Sequence, residues 1–252
     1  MLDALRSAII LPLICLYTIV LGILSLLLSL VDKRSRLQSW CARLWSRGVV
    51  AMAGMRLQAR GVENIPCNQP CVFVVNHQSY LDIPALFTVL PAPLLFLARR
   101  SLFSIPIFGW ALWRAGHIPI DRENARAALD NLNRAAEKLR AGYSAIIFPE
   151  GTRSVDGTLQ SFKSGGFKLA LKAGVPIVPV TIRGTQRILQ RDTFTLHPGP
   201  VEVIIDPPLE TNGYSTRALP ELIARARACI AANLETSAAT SFDSHDCARV
   251  DS

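Results

Sequence analysis

The chain has 252 residues, enough for one sizeable domain with an appendage. Half of its residues are hydrophobic, its mean hydropathy is +0.29, and 27 Lys and Arg against 19 Asp and Glu give a net charge of +8. A basic, apolar chain suits an anionic membrane surface or nucleic acid, but aromatics are only 7% and no basic run is interleaved with them, so base stacking is excluded and a membrane is left.

Residues 8–31 carry no charge and are nearly all apolar. As a helix they would extend about 36 Å against a hydrocarbon core of about 30 Å. The run is too long for the apolar region of a signal peptide, and no small-x-small cleavage site follows it. Such a helix either spans the bilayer or dips into one leaflet. Pro12 is expected in its first turn, where proline is tolerated. Lys33, Arg34 and Arg36 follow the run, so the positive-inside bias puts the remainder of the chain in the cytoplasm.

A second helix is expected over residues 37–52. There Leu37, Trp40, Cys41, Leu44 and Trp45 recur at helical spacing among arginines, as in an interfacial helix or a core helix. Residues 1–54 are therefore read as a two-helix membrane-anchoring element.

From Met55 onward strand and helix patterns alternate. Strands are predicted at 55–60, 71–75, 94–98, 117–120, 144–148, 177–182 and 201–205. Helices are predicted at 81–90, 107–114, 123–141, 166–173 and 216–234. This alternation predicts an α/β domain over residues 55–235, with a largely parallel sheet flanked by helices. Residues 236–252, rich in Ser, Ala, Thr and Asp, read as a disordered tail. Of the six cysteines only Cys67 and Cys71 are close together, and no second Cys/His pair backs their spacing. No metal site is expected; the thiols read as reduced ones of a cytoplasmic domain.

Each polar motif follows a strand, and in such domains ligands gather at strand carboxyl ends. The first motif is Asn76-His77-Gln78-Ser79-Tyr80-Leu81-Asp82. A histidine and an aspartate five positions apart across a strand-to-helix junction can sit side by side. The carboxylate would then fix the imidazole tautomer and leave the other nitrogen free to take a proton. Asn76 and Ser79 are candidate caps for the helix that follows.

The segment Phe148-Pro149-Glu150-Gly151-Thr152-Arg153-Ser154 places a glycine, for close backbone approach, beside an arginine suited to a phosphate or carboxylate. Glu150 could orient that arginine or accept a substrate hydroxyl. A third strand, Ile118-Pro119-Ile120, leads to Asp121-Arg122. Phe162-Lys163-Ser164-Gly165-Gly166 opens a helix with a lysine and two glycines but lacks the order of a nucleotide P-loop. Val175-Pro176-Ile177-Val178-Pro179-Val180 is apolar, mainly structural, and at most lines a groove for a hydrocarbon chain.

In order these segments read NHQSYLD, IPIDR, FPEGTRS, FKSG and VPIVPV. The set resembles the glycerolipid acyltransferases, and within them the 1-acyl-sn-glycerol-3-phosphate acyltransferases, over roughly Met55 to Pro207. The apolar N-terminus is similar to that family's membrane-anchoring region. The resemblance implies that His77 and Asp82 are the catalytic pair. It also implies that Arg122, Glu150, Gly151, Thr152, Arg153 and Lys163 serve substrate binding. One segment departs from the family. Lysines and a glutamate are common after its third strand, where this chain has Ala98-Arg99-Arg100-Ser101-Leu102.

The implied reaction moves a fatty acyl group from an acyl thioester, of coenzyme A or acyl carrier protein, to the hydroxyl of a lyso-lipid. With 1-acyl-sn-glycerol-3-phosphate as acceptor the product is phosphatidate. The partners expected are these substrates and the membrane, with no nucleic acid and no cofactor. A lyso-ornithine lipid or another lysophospholipid is the alternative acceptor, and a catalytically silent lipid-binding protein is a more distant alternative.

Overall fold

The computed structural model describes residues 2–31, 36–120, 125–154, 157–190, 192–215 and 217–246. Seven strands form one sheet: β1 (Met55–Arg60), β2 (Val72–Val75), β3 (Leu94–Arg99), β4 (Ile118–Ile120), β5 (Ser144–Ile147), β6 (Ile177–Arg183) and β7 (Gly199–Ile205). The spatial order is β1-β7-β6-β2-β5-β3-β4, and every neighbouring pair is parallel except β6 with β7. The fold is thus α/β with a mostly parallel sheet. All of β2 is buried, which its unbroken run of Val, Phe, Val and Val requires of a strand covered on both faces.

The helices are α1 (Leu2–Leu28), α2 (Arg36–Ala53), α3 (Asp82–Val89), α4 (Phe108–Arg114), α5 (Ala125–Arg140), α6 (Gly165–Ala173), the four-residue α7 (Thr185–Ile188) and α8 (Leu219–Asp246). Alternate residues of β2 feed two apolar layers. Phe73 and Val75 pack with Leu86 of α3 and with Val49 and Val50 of α2. Val72 and Val74 pack with Leu139 of α5, Phe167 and Leu169 of α6, and Leu222 and Ala226 of α8. The period-two direction of strand side chains therefore determines which helices each residue meets.

The N-terminal region differs from a simple two-helix anchor. On α2, Val49, Val50 and Ala53 are buried in the domain core while Trp40 is 54% exposed, so one helix serves both the core and the surface. On α1 the usual polarity is inverted. The buried positions are Ser7, Leu21 and Ser25, with Ser29 just past the helix end, while Leu5, Ile9, Leu16 and Leu27 are each more than half exposed. A water-facing helix would bury the leucines; this arrangement suits hydrocarbon outside and small residues at a helix–helix contact.

Polar links tie α1 to the body along its length. Arg6 donates to the Met52 carbonyl (3.4 Å), Leu196 N–H to Ser7 Oγ (2.8 Å), Tyr17 to the Leu44 carbonyl (2.7 Å), and Trp45 Nε1 to Thr18 Oγ1 (2.9 Å). At the far end Arg114 donates to Ser29 Oγ (3.0 Å) and to its carbonyl (3.1 Å). Gly48 of α2 lies against the Tyr17 ring so closely that a Cβ there would clash.

Two expected boundaries are corrected. Helix α1 begins at Leu2, so Pro12 lies in its interior and not its first turn. Asp3 in the first turn favours the earlier start through the helix dipole. Helix α8 continues through Asp246, where the composition predicts disorder from residue 236. A helix already anchored by packed Leu222, Ala226 and Ile230 adds further turns without a new nucleus.

Candidate active site

The carboxyl end of β2 is fastened before it reaches the histidine. The Asn76 side chain accepts the Ile182 N–H (2.8 Å) and donates to the Ile182 carbonyl (2.9 Å), extending strand pairing with β6 by a side-chain amide. This corrects the capping role expected for Asn76. Ser79 is not the N-cap of α3, which is Leu81; its hydroxyl accepts the Leu81 N–H (3.4 Å) and donates to the Leu189 carbonyl (2.9 Å). Both side chains serve contacts more than a hundred residues away in sequence, which local spacing does not reveal.

The structure brings His77 and Asp82 together. His77 Nδ1 lies 2.8 Å from Asp82 Oδ2. The same oxygen accepts the backbone N–H groups of Gln78 (2.7 Å) and Ser79 (2.9 Å). Thr185 Oγ1, from the start of α7, donates to Oδ1 at 2.5 Å. Asp82 is fully buried, and four donors hold it as an acceptor. A carboxylate on Nδ1 fixes that proton and leaves Nε2 as the nitrogen open to chemistry.

The loop after β5 supports the histidine from the other side. The Phe148 ring stacks on the imidazole, with centroids 4.0 Å apart and planes 16° from parallel. Glu150 Oε1 accepts the His77 backbone N–H (2.7 Å), and the His77 carbonyl accepts the Ser154 N–H (2.8 Å). Glu150 Oε2 accepts the Gln160 N–H (3.0 Å). Both Glu150 oxygens thus bind backbone, the residue is 3% exposed, and burial raises its pKa above the ordinary carboxylate value. The carboxylate of Glu150 thus clamps the His77 backbone to the loop after β5. Gly151 closes the turn with φ of 76°, a conformation that strains a residue with a Cβ.

A groove of about 960 Å³ opens beside this pair. Its polar mouth includes His77, Gly151, Thr152, Arg153 and Lys163, and Arg99 joins them from the end of β3. The Arg153 guanidinium lies over the Tyr80 ring at 3.8 Å. Arg122 lies outside the described residues. Away from the mouth the walls are apolar and come from α1, α2 and α4, including Leu21, Trp45, Phe108 and Leu112. One continuous groove therefore joins a candidate base and cationic side chains to a long apolar channel beside the membrane-type helix. Thr185 and Arg99 were not anticipated as site residues. The signal they share with the recognised motifs is position at the carboxyl end of a strand, Arg99 as the last residue of β3 and Thr185 just past β6.

The comparisons with known proteins agree with this architecture. The family model described as Acyltransferase matches residues 56–183, and the chain belongs to that family. It is 37% identical over 195 residues to a 1-acyl-sn-glycerol-3-phosphate acyltransferase of Pseudomonas aeruginosa, covering 77% of this chain and 74% of that protein. It is 39% identical over 178 residues to the chloroplastic 1-acyl-sn-glycerol-3-phosphate acyltransferase BAT2 of Brassica napus, covering 70% of this chain and 51% of that one. The chain thus spans about half the length of the plant relatives it matches. Among solved structures, the 1-acyl-sn-glycerophosphate acyltransferase PlsC of Thermotoga maritima superposes with a TM-score of 0.81 at 29% identity, covering 94% of this chain and 96% of that one.

Proposed function

We propose that the protein transfers a fatty acyl group from an acyl thioester to the hydroxyl of 1-acyl-sn-glycerol-3-phosphate, producing phosphatidate. The observation that carries this reading is the buried His77–Asp82 pair at the mouth of an apolar groove flanked by Arg153 and Lys163. The relatives bearing the lysophosphatidate name support the choice of acceptor.

In this mechanism the acceptor phosphate rests against Arg153, Lys163 and Arg122, with Arg99 close by. Its hydroxyl is then directed at His77. His77 Nε2 takes the hydroxyl proton as the oxygen attacks the thioester carbonyl, and Asp82 stabilises the imidazolium that forms. The tetrahedral intermediate collapses by breaking the carbon–sulfur bond. The imidazolium returns its proton to the departing thiolate, so base and proton balance in each turnover. No side chain carries the acyl group. The donor is the thioester of coenzyme A or of acyl carrier protein.

The domain works at a membrane surface, on the cytoplasmic face. Residues 1–54 provide the lipid contact and residues 55–235 the catalytic unit. Both ends of α1 are bonded to the same globular body, which favours a helix lying in one leaflet over one crossing the bilayer. Products formed from a panel of lyso-lipids, offered with both carriers and followed by mass spectrometry, test the assignment. Phosphatidate as the main product is expected. A lyso-ornithine lipid or head-group-substituted lysophospholipid acylated in preference would displace the acceptor named here.

A further inference from the structure

The far end of the groove is not purely apolar. Gln38 of α2 lines it, is only 4% exposed, and has a side-chain oxygen, Oε1, with no hydrogen-bond partner. Among the described residues lining the groove, it is the one with such a buried unpartnered oxygen. His117, just before β4, lines the same region and is 7% exposed. Its Nδ1 accepts the Phe96 N–H (3.1 Å), so the neutral ring carries its proton on Nε2. Burial, reinforced by Lys138, lowers the His117 pKa to about 4 and keeps the ring neutral.

Gln38 and His117 also share a small chamber of about 20 Å³, with Ala42, Phe87 and Ala115 common to it and to the groove. That volume is on the order of one water molecule. A ladder of rings connects the chamber to the candidate base. Phe148 stacks on His77, Phe96 lies 6.2 Å from Phe148, Phe87 lies 6.4 Å from Phe96, and His117 lies 6.1 Å from Phe87. Three phenylalanine rings thus link the polar pair to the candidate base.

Gln38 Oε1 is already shut away without a protein donor, so a plain hydrocarbon chain at this end leaves it as it is, whereas a ligand donor that reaches it gains a buried hydrogen bond. A hydroxyl both donates and accepts, and so matches an acceptor on Gln38 and a donor on His117. We propose that Gln38 and His117 form a hydroxyl-reading subsite at the far end of the groove, favouring an acyl chain hydroxylated on its distal part. This rests on the acyl-transfer reading above. The hydroxylated chain belongs either to the donor or to the lyso-lipid.

Two competition panels test the subsite. In the first, acyl thioesters of one length, plain or carrying a hydroxyl at successive distal positions, compete for 1-acyl-sn-glycerol-3-phosphate, with both coenzyme A and acyl carrier protein as carriers. In the second, plain and hydroxylated lyso-lipids compete for one plain donor. Each is run with wild type, Gln38→Leu and Gln38→Met. The readout is a product ratio within one tube, which loss of folded protein does not alter. Wild type is expected to prefer one hydroxyl position, and both variants to shift that ratio ~10-fold toward the plain chain, the order of one buried hydrogen bond. The panel that shows the peak identifies which chain enters. Ratios that are flat in both panels, or unchanged in both variants, overturn the subsite and leave water as the partner of Gln38. No transfer of any chain, plain or hydroxylated, with either carrier overturns the acyltransferase reading and the subsite with it.

Discussion

The two ends of the groove are built differently. At the mouth the key groups are tightly partnered: Asp82 has four donors, Glu150 binds two backbone amides, and the His77 ring is held between Asp82 and Phe148. At the far end Gln38 Oε1 is buried without a partner, and His117 is neutral because burial prevents its protonation. The first arrangement is preorganised: a base must not reorient during the reaction, so its supports are in place beforehand. At the second, Gln38 Oε1 has no protein donor, which leaves it to the ligand group proposed above.

The sharpest way to break this comparison is His77→Ala. Turnover is expected to fall by ~10³-fold or more, while the melting temperature moves little, because the ring lies at the mouth and its backbone clamp remains. Turnover near wild type would remove the base assignment and with it the distinction between the two ends.

The next largest effect belongs to the far end. His117 binds protons less readily when folded than unfolded, so between pH 6.5 and about 4 the unfolded chain holds more protons. Stability is therefore expected to fall as pH drops through that window, by on the order of 2–3 kcal/mol in the limit of full burial. Chemical denaturation at several pH values measures it. His117→Gln should flatten the slope there; an unchanged slope would assign the acid sensitivity elsewhere.

At the mouth, Thr185→Val removes one Asp82 donor with little change of shape. A stability loss of about 1–3 kcal/mol and a ~10-fold lower kcat are expected, with KM nearly unchanged. A KM effect alone would mean that Thr185 contacts substrate and does not position the carboxylate.

The smallest effect concerns the lipid-facing surface. Trp40→Ser combined with Trp110→Ser should weaken vesicle binding several-fold and leave thermal stability unchanged, since both rings are more than half exposed. Equal binding by wild type and double variant in a flotation assay would shift membrane contact onto α1 alone.

Much of the fold was legible because it rests on local pattern. The runs 55–60 and 94–98 read as strands, and 107–114 as a helix, from periodicity and flanking turns, and the structure places β1, β3 and α4 there within a residue. His77 and Asp82 were legible because five residues across a strand-to-helix junction are enough to bring them together. Glu150 was recognised as part of the site, but its hold on the His77 backbone was not. Nothing in the order Glu-Gly-Thr-Arg reveals that its carboxylate turns to the backbone of a residue 73 positions away.

The sequence by itself determined the α/β class, the membrane-seeking N-terminus, the strand-end placement of the His77 and Glu150 motifs and the histidine–aspartate pair. These follow from hydrophobic period and short-range spacing, which are properties of adjacent residues. Only the tertiary structure decided that Asn76 locks onto Ile182, that Thr185 completes the shell of Asp82, that α1 is bonded to the domain at both ends, and that Gln38 and His117 line one small chamber. Each joins side chains separated by tens to hundreds of residues. Hydrogen-bond satisfaction in a buried site depends on which elements the folded chain places together, and composition and periodicity do not carry that information.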